Sequence, residues 1–219
     1  IASFEVVDLP LIKYVAQTGK PMIISTGMAD AGEIQEAIGA AQEGGCREIA
    51  ILHCVSGYPA PSSDYNLKTL LDMQKRYQMV IGLSDHTVDN IIATVGVSLG
   101  ASIIEKHVTL DRNGGGPDDS FSLESNELKK LCNDSKAAWR SIGKVNYSRK
   151  TSEKNNIKFR RSLYFVKDIS AGSILTSENV RSIRPGFGLL PKYWNDIIGK
   201  KIKKSVKSGT PVQWNLVNK

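Results

Sequence analysis

Five short apolar runs punctuate the first half of the chain: Ile1 to Glu5, Pro21 to Thr26, Glu48 to Cys54, Met79 to His86 and Ser102 to Thr109. Each is followed by a polar or glycine-bearing turn and then by a segment whose apolar residues recur every three or four positions. Asp30 and Glu33 form a capping-box pattern ahead of Ile34, Ile38 and Ala41. Ile91, Ile92, Val95 and Leu99 make a second helical stripe, and Leu128, Leu131, Cys132 and Trp139, after Ser125, a third. Strand then helix, repeated, predicts a parallel sheet. The runs start 20, 27, 31 and 23 residues apart, close to the roughly 30 residues per unit of an eight-unit barrel.

The pattern changes after residue 140. The stretch "SIGKVNYSRKTSEKNNIK" is polar and basic with no sustained apolar period, so residues 141–159 read as a linker. From 160 to 219 short strand-like runs alternate with turns, which predicts a compact, mostly β module. The expected organisation is therefore α/β over residues 1–140, a linker, and a small β domain over 160–219. Five strand-helix units cannot close an eight-stranded barrel. A chain that opens inside a strand favours a piece of a (β/α)8 barrel over a free-standing five-stranded doubly wound sheet.

The net charge of +7 conceals a division. Residues 1–130 carry 10 Lys/Arg against 17 Asp/Glu, whereas residues 131–219 carry 19 against 5. Two bodies with opposite surfaces account for this, and the basic one suits an anionic ligand or the acidic face of a partner subunit. Its lysines in "GKKIKKSVK" come without a nucleic-acid reader motif or interleaved aromatics, so no nucleic-acid partner is expected. No apolar stretch is long enough for a membrane helix, and no membrane partner is expected. Cys46, Cys54 and Cys132 form no CxxC pair, which fits reduced, buried thiols in a soluble cytoplasmic protein.

The candidate chemistry lies where apolar runs become ionisable. Alternation along a strand puts Ser84 and His86 on one face with Asp85 opposite, and Glu105 and His107 on one face with Lys106 opposite. The carboxyl ends of parallel strands are where such folds place their sites. Two neutral imidazoles from adjacent strands can share a divalent metal, or be two hydrogen-bonded histidines without one. His53, beside Cys54, is a third candidate or a packing residue. Ser3, Ser25, Ser56 and Ser84 recur at the same level and can hold phosphate or carboxylate. The glycine-rich loop from Asp111 to Ser122 follows, with Asp118 placed to meet a polyhydroxylated ligand.

The segments "IASFE", "ISTGM", "LHCVSGYPAP", "GLSDHT", "EKHVTLDRNGGGPDDSFSLE" and "RSIRPGFGLLPKYW" occur in the order found in the sialic acid synthase family. The chain resembles that family over essentially its whole length. The resemblance implies the last five strand-helix units of a (β/α)8 TIM barrel, followed by an antifreeze-like (SAF) β-clip domain. It implies condensation of phosphoenolpyruvate with an acetamido-deoxy sugar in its open aldehyde form, with release of phosphate. It also implies a divalent metal (Mn2+, Mg2+ or Co2+) on His86 and His107, and phosphoenolpyruvate contacts from Ser3, Ser25 and Ser84. Ser56 stands where sialic acid synthases carry asparagine. Glu105 is implied as a proton-exchanging group and Asp118 as a sugar-hydroxyl contact. Arg184 is implied to reach into the neighbouring subunit of a domain-swapped homodimer. The run Gly115-Gly116-Pro117-Asp118 with Phe121-Ser122 is similar to the pseudaminic acid branch, whereas the sialic and legionaminic branches show Pro-Gly-Pro-Asp there. A glutamate and lysines that the family carries on earlier strands fall outside this sequence, so the chain alone is expected to be poorly active.

Overall fold

The computed structural model describes residues 1–218 and divides into two compact units, Ile1–Lys144 and Val145–Lys219. In the first, α1 (Leu9–Ala16), α2 (Ala31–Glu43), α3 (Thr69–Tyr77), α4 (Ile91–Ser98) and α5 (Ser125–Ile142) alternate with β1 (Met22–Ser25), β2 (Ile49–Cys54), β3 (Val80–Ser84) and β4 (Ile104–Glu105). The four strands pair in parallel in the order β1-β2-β3-β4. Strand-helix-strand succession with neighbouring strands consecutive in sequence is the arrangement of a barrel wall.

The first apolar run is not a strand. Ile1 alone makes parallel-ladder bonds, donating its amino group to the Ile23 carbonyl and accepting from the Ser25 amide, after which Ser3–Glu5 turns as a 3-10 helix. Of the expected strand only Ile1 lies on the ladder, and α1 follows the 3-10 turn. The Asp30 carboxylate caps α2 by accepting from the Gly32 and Glu33 amides, and Glu33 returns the bond to the Asp30 amide. This is the reciprocal pattern that the spacing predicts.

Ile24, Ile51, Ile81 and Leu83 form the buried outer faces of β1, β2 and β3, against Ile12, Ala37, Ile38, Ala41, Leu70 and Met73 from the helices, while Leu52 is buried on the opposite face of β2. Two helical stripes differ from expectation. On α4 the buried residues are Ala93, Gly96 and Val97, while Ile91 and Val95 face outward. A Cβ on Gly96 would lie 2.7 Å from a Leu83 methyl carbon, so small residues let this helix seat directly on β3 and the larger ones are displaced to its flanks. On α5 Leu131 is buried, but Cys132 is exposed and Trp139 is 68% exposed. Those two line a groove of about 920 Å³ against Ala101–Lys106. Cys46 and Cys54 are buried free thiols, as expected; Cys132 is not buried.

The second unit pairs β5 (Ser162–Phe165) with β6 (Val180–Ile183) in an antiparallel ladder, extended by isolated bridges such as Ile174 to Lys201 and Ile202 to Val217. Its core is Leu163, Phe165, Leu175, Val180, Ile197 and Val212, with Ile197 ending the short α6 (Trp194–Ile197). The basic stretch before it contains a 3-10 segment, Thr151–Phe159, with no buried residue. Among the described residues no helix is long and apolar enough to cross a membrane.

Candidate active site at the carboxyl ends of the strands

The strand ends converge as period-two alternation requires. Ser84, the last residue of β3, donates its hydroxyl to Glu105 Oε1 at 2.7 Å, and its oxygen lies 3.4 Å from His86 Nε2. The His86 and His107 ring centroids are 5.2 Å apart with an interplanar angle of 74°.

The His86 imidazole is held from behind. His86 Nδ1 lies 2.8 Å from the Val55 carbonyl oxygen, which can only accept, so the proton resides on Nδ1 and Nε2 keeps its lone pair. The His86 amide donates to the Tyr65 hydroxyl at 2.6 Å. Burial, opposed by that Val55 bond and reinforced by the neighbouring His107, holds the His86 pKa below its ordinary value. The neutral, ligating form is favoured as a result. His107 is more open, and its Nδ1 is 3.4 Å from Asp118 Oδ2.

Asp118 reaches this position because its loop is pinned. The Asp119 carboxylate accepts from the Gly116 amide and the Thr109 hydroxyl. A Cβ on Gly114 or Gly116 would fall within 2.9 Å of that carboxylate, which explains glycine at both positions. Arg112 ties the far side of the loop to the Ser122 carbonyl and to Glu127.

A second cluster lies beside the first. Ser56 donates to Ser3 Oγ at 2.9 Å, and Gly27 closes over both, a Cβ there meeting Ser56 Oγ at 2.5 Å and Ser3 Cβ at 2.6 Å. The Cys54 thiol links the clusters. Burial raises its pKa, while the neighbouring Ser3 and Ser84 hydroxyls pull the other way. Ser3, Ser56, Cys54, Ser84, Glu105, His86, His107 and Asp118 thus form a connected set. Ser25 ends β1, buried, two strands from Ser84. Arg184 follows β6 in the second unit, joined to Pro185 by a cis peptide.

His53 is not part of the pair: its Nε2 bonds the Tyr65 carbonyl and its pKa is lowered mainly by burial. Sequence reasoning missed the aromatic lining. Tyr58 stacks on His86 at 4.2 Å and 31°, and Phe121 lies 5.3 Å from His107. "Tyr-Pro" after a strand and a lone phenylalanine in a glycine-rich loop were the available signals. It also missed what Lys106 and Asp85 do. Among the described residues no group of three or more His, Cys, Asp or Glu side chains converges as metal ligands.

Comparison with known proteins matches both units to described families. The model of the SAF domain matches residues 160–218. The chain is 39% identical over 214 residues to pseudaminic acid synthase of Helicobacter pylori, covering 97% of this chain and 63% of the relative. It is also 39% identical over 210 residues to N,N'-diacetyllegionaminic acid synthase of Campylobacter jejuni, covering 94% and 63%. The chain therefore spans somewhat less than two thirds of the length of these relatives. A crystal structure of N-acetylneuraminic acid synthetase from Leptospira borgpetersenii superposes with a TM-score of 0.65 at 34% identity, over 72% of this chain and 55% of that one. The model of the NeuB family matches residues 1–147, which carry the histidine pair and the serine cluster, and on that match the chain belongs to the NeuB family.

Proposed function

We propose that this chain supplies the metal-binding and part of the substrate-binding wall of a phosphoenolpyruvate-dependent nonulosonic acid synthase. The observation that carries the reading is the pair of imidazoles at 5.2 Å, one of them with its outer nitrogen fixed as a donor and its inner nitrogen free. Two imidazole nitrogens bound side by side to one ion at about 2.1 Å would put their ring centres about 4.6–5.3 Å apart. The donor set thus suits a divalent cation such as Mn2+, Mg2+ or Co2+, with remaining positions left to water and substrate. A cation there would supply Lewis-acid polarisation of the sugar aldehyde oxygen.

The chain's own residues do the rest. The methylene carbon of phosphoenolpyruvate forms the new bond to the aldehyde carbon; water adds at the carbon bearing the phosphate, and phosphate leaves. Ser3, Ser25 and Ser84 offer hydroxyls to the phosphate and carboxylate. Ser56 supports Ser3. Glu105, hydrogen-bonded to Ser84 beside His86, is placed to hold or pass the proton of the attacking water or of the new hydroxyl. Asp118, 55% exposed beside His107, meets a sugar hydroxyl, and Tyr58 and Phe121 wall the same mouth. Arg184 contacts the sugar in the barrel of a second subunit of a homodimer.

The preferred product is pseudaminic acid, on the Gly115–Ser122 loop; equal identity to pseudaminic and legionaminic relatives leaves that loop as the support. The test is phosphate release by the protein translated from the whole reading frame containing this chain, given phosphoenolpyruvate, Mn2+ and a panel of acetamido sugars. Fastest turnover with 2,4-diacetamido-2,4,6-trideoxy-L-altrose is expected. Faster turnover with N-acetylmannosamine would reassign the product, and no phosphate release with any sugar would overturn the reading.

A further inference from the structure

On the outer face of the sheet, opposite the histidines, Lys106 and Asp85 form an ion pair of 3.1 Å whose side chains are 3% and 0% exposed. The Lys106 ammonium also donates to the Thr87 carbonyl at 2.5 Å and the Asp89 carbonyl at 2.6 Å. Asp85 Oδ1 accepts from the Thr87 amide and hydroxyl. Every polar group of the pair is therefore used on the segment that leads out of β3.

This arrangement matters because both histidines lie beyond the end of the β3-β4 ladder. The last backbone bond between the two strand ends runs from the Asp85 amide to the Glu105 carbonyl. Past it, the backbone around His86 is tied toward β2, through Tyr65 and through the Ala60 amide on the His86 carbonyl. The backbone at His107 is tied to Leu123 instead. Beyond the Ser84–Glu105 hydrogen bond at the strand ends themselves, the side-chain bonds that join the two segments come from Lys106, which is flanked by Glu105 and His107.

We infer that the Asp85–Lys106 pair is a positioning clamp that sets the separation of His86 and His107. The inference rests on the histidine-pair reading above. A buried pair could instead serve stability alone, so the readout must be ring geometry. The chain has three histidines, which makes isotope-labelled imidazole spectra simple to assign. In the unmodified chain, a nuclear Overhauser effect between the His86 and His107 rings is expected from their 5.2 Å spacing. In Asp85→Asn/Lys106→Met, which removes both charges without stranding either, that effect weakens at least twofold in folded protein. Mn2+ affinity then falls about 10–100-fold, as when groups that orient metal ligands are removed. Lys106→Arg, which keeps the charge but displaces it, gives an intermediate result. An inter-ring effect of unmodified strength in either folded variant overturns the clamp. Failure of the unmodified chain to bind Mn2+ would instead remove the metal reading, and the ring comparison would still decide the clamp.

Discussion

Replacing Tyr65 with phenylalanine removes one oxygen atom and tests how the site is held. Tyr65 is fully buried, and burial pushes its phenol well above the ordinary range, so the hydroxyl stays protonated and its lone pair serves the His86 amide at 2.6 Å. Tyr65→Phe keeps the ring and its packing, so little cavity forms. The loss is the acceptor for a buried N–H, and stranding such a group costs about 1–3 kcal/mol. For a chain of this size each kcal/mol moves Tm by about 2–4 °C, so a fall of about 2–12 °C is expected. Urea unfolding followed by circular dichroism measures the energy, and hydrogen exchange at the His86 amide locates it: exchange there should accelerate more than at neighbouring sites. A variant within about 0.5 kcal/mol of the parent, the range of an ordinary surface change, with His86 still protected, would refute the reasoning.

Three further outcomes follow from the same geometry. His86 and His53 both have pKa values lowered by burial, so the unfolded chain binds more protons than the native one between the lowered values and the ordinary 6.5. Stability from these groups is present above the ordinary value and lost as pH falls through the native one; urea unfolding between about pH 5 and 7 should show it, with a smaller slope in His86→Gln and an unchanged slope counting against the assignment. Gly27→Ala forces a side chain into a φ of +51° and against Ser56 and Ser3, which should cost about 2–4 kcal/mol; a loss below about 1 kcal/mol would mean the serine cluster is not closed as described. Lys106→Met alone leaves the Asp85 carboxylate buried and unpaired, a change worth about 3–5 kcal/mol, and adding Asp85→Asn should recover part of it; a single variant as stable as the double would show that the charge is not stranded.

The parts legible from sequence are those governed by local periodicity. The Asp30–Glu33 capping box, the parallel order of β1 to β4, and the pairing of Ser84 with His86 follow from spacing alone. The meeting of His86 and His107 was legible because alternation fixes which residues face together once two apolar runs are recognised as neighbouring strands. What was not legible depended on contacts remote in sequence. In the α4 stripe Ile92 and Leu99 pack on the core but Ile91 and Val95 do not, because Gly96, which lets the helix approach Leu83, counts for nothing in a hydrophobic pattern. The outer residues of α5 look like core by spacing, yet Trp139 and Cys132 line a groove. Ile1 to Glu5 has a strand's composition but only its first residue lies on the ladder. Lys106 and Asp85 read only as residues on the face opposite the histidines; that they bury together follows from how the segment after β3 folds over them. Tyr58 meets His86 only through the loop after β2.

The central claim is that His86 and His107 converge on one divalent cation. Titrating the chain with Mn2+ and following the free ion by electron paramagnetic resonance tests it directly. The account predicts saturable binding of one ion per chain, abolished by His86→Ala and by His107→Ala in proteins whose circular dichroism is unchanged. Binding that survives both substitutions, or no saturable binding by the unmodified chain, would contradict it.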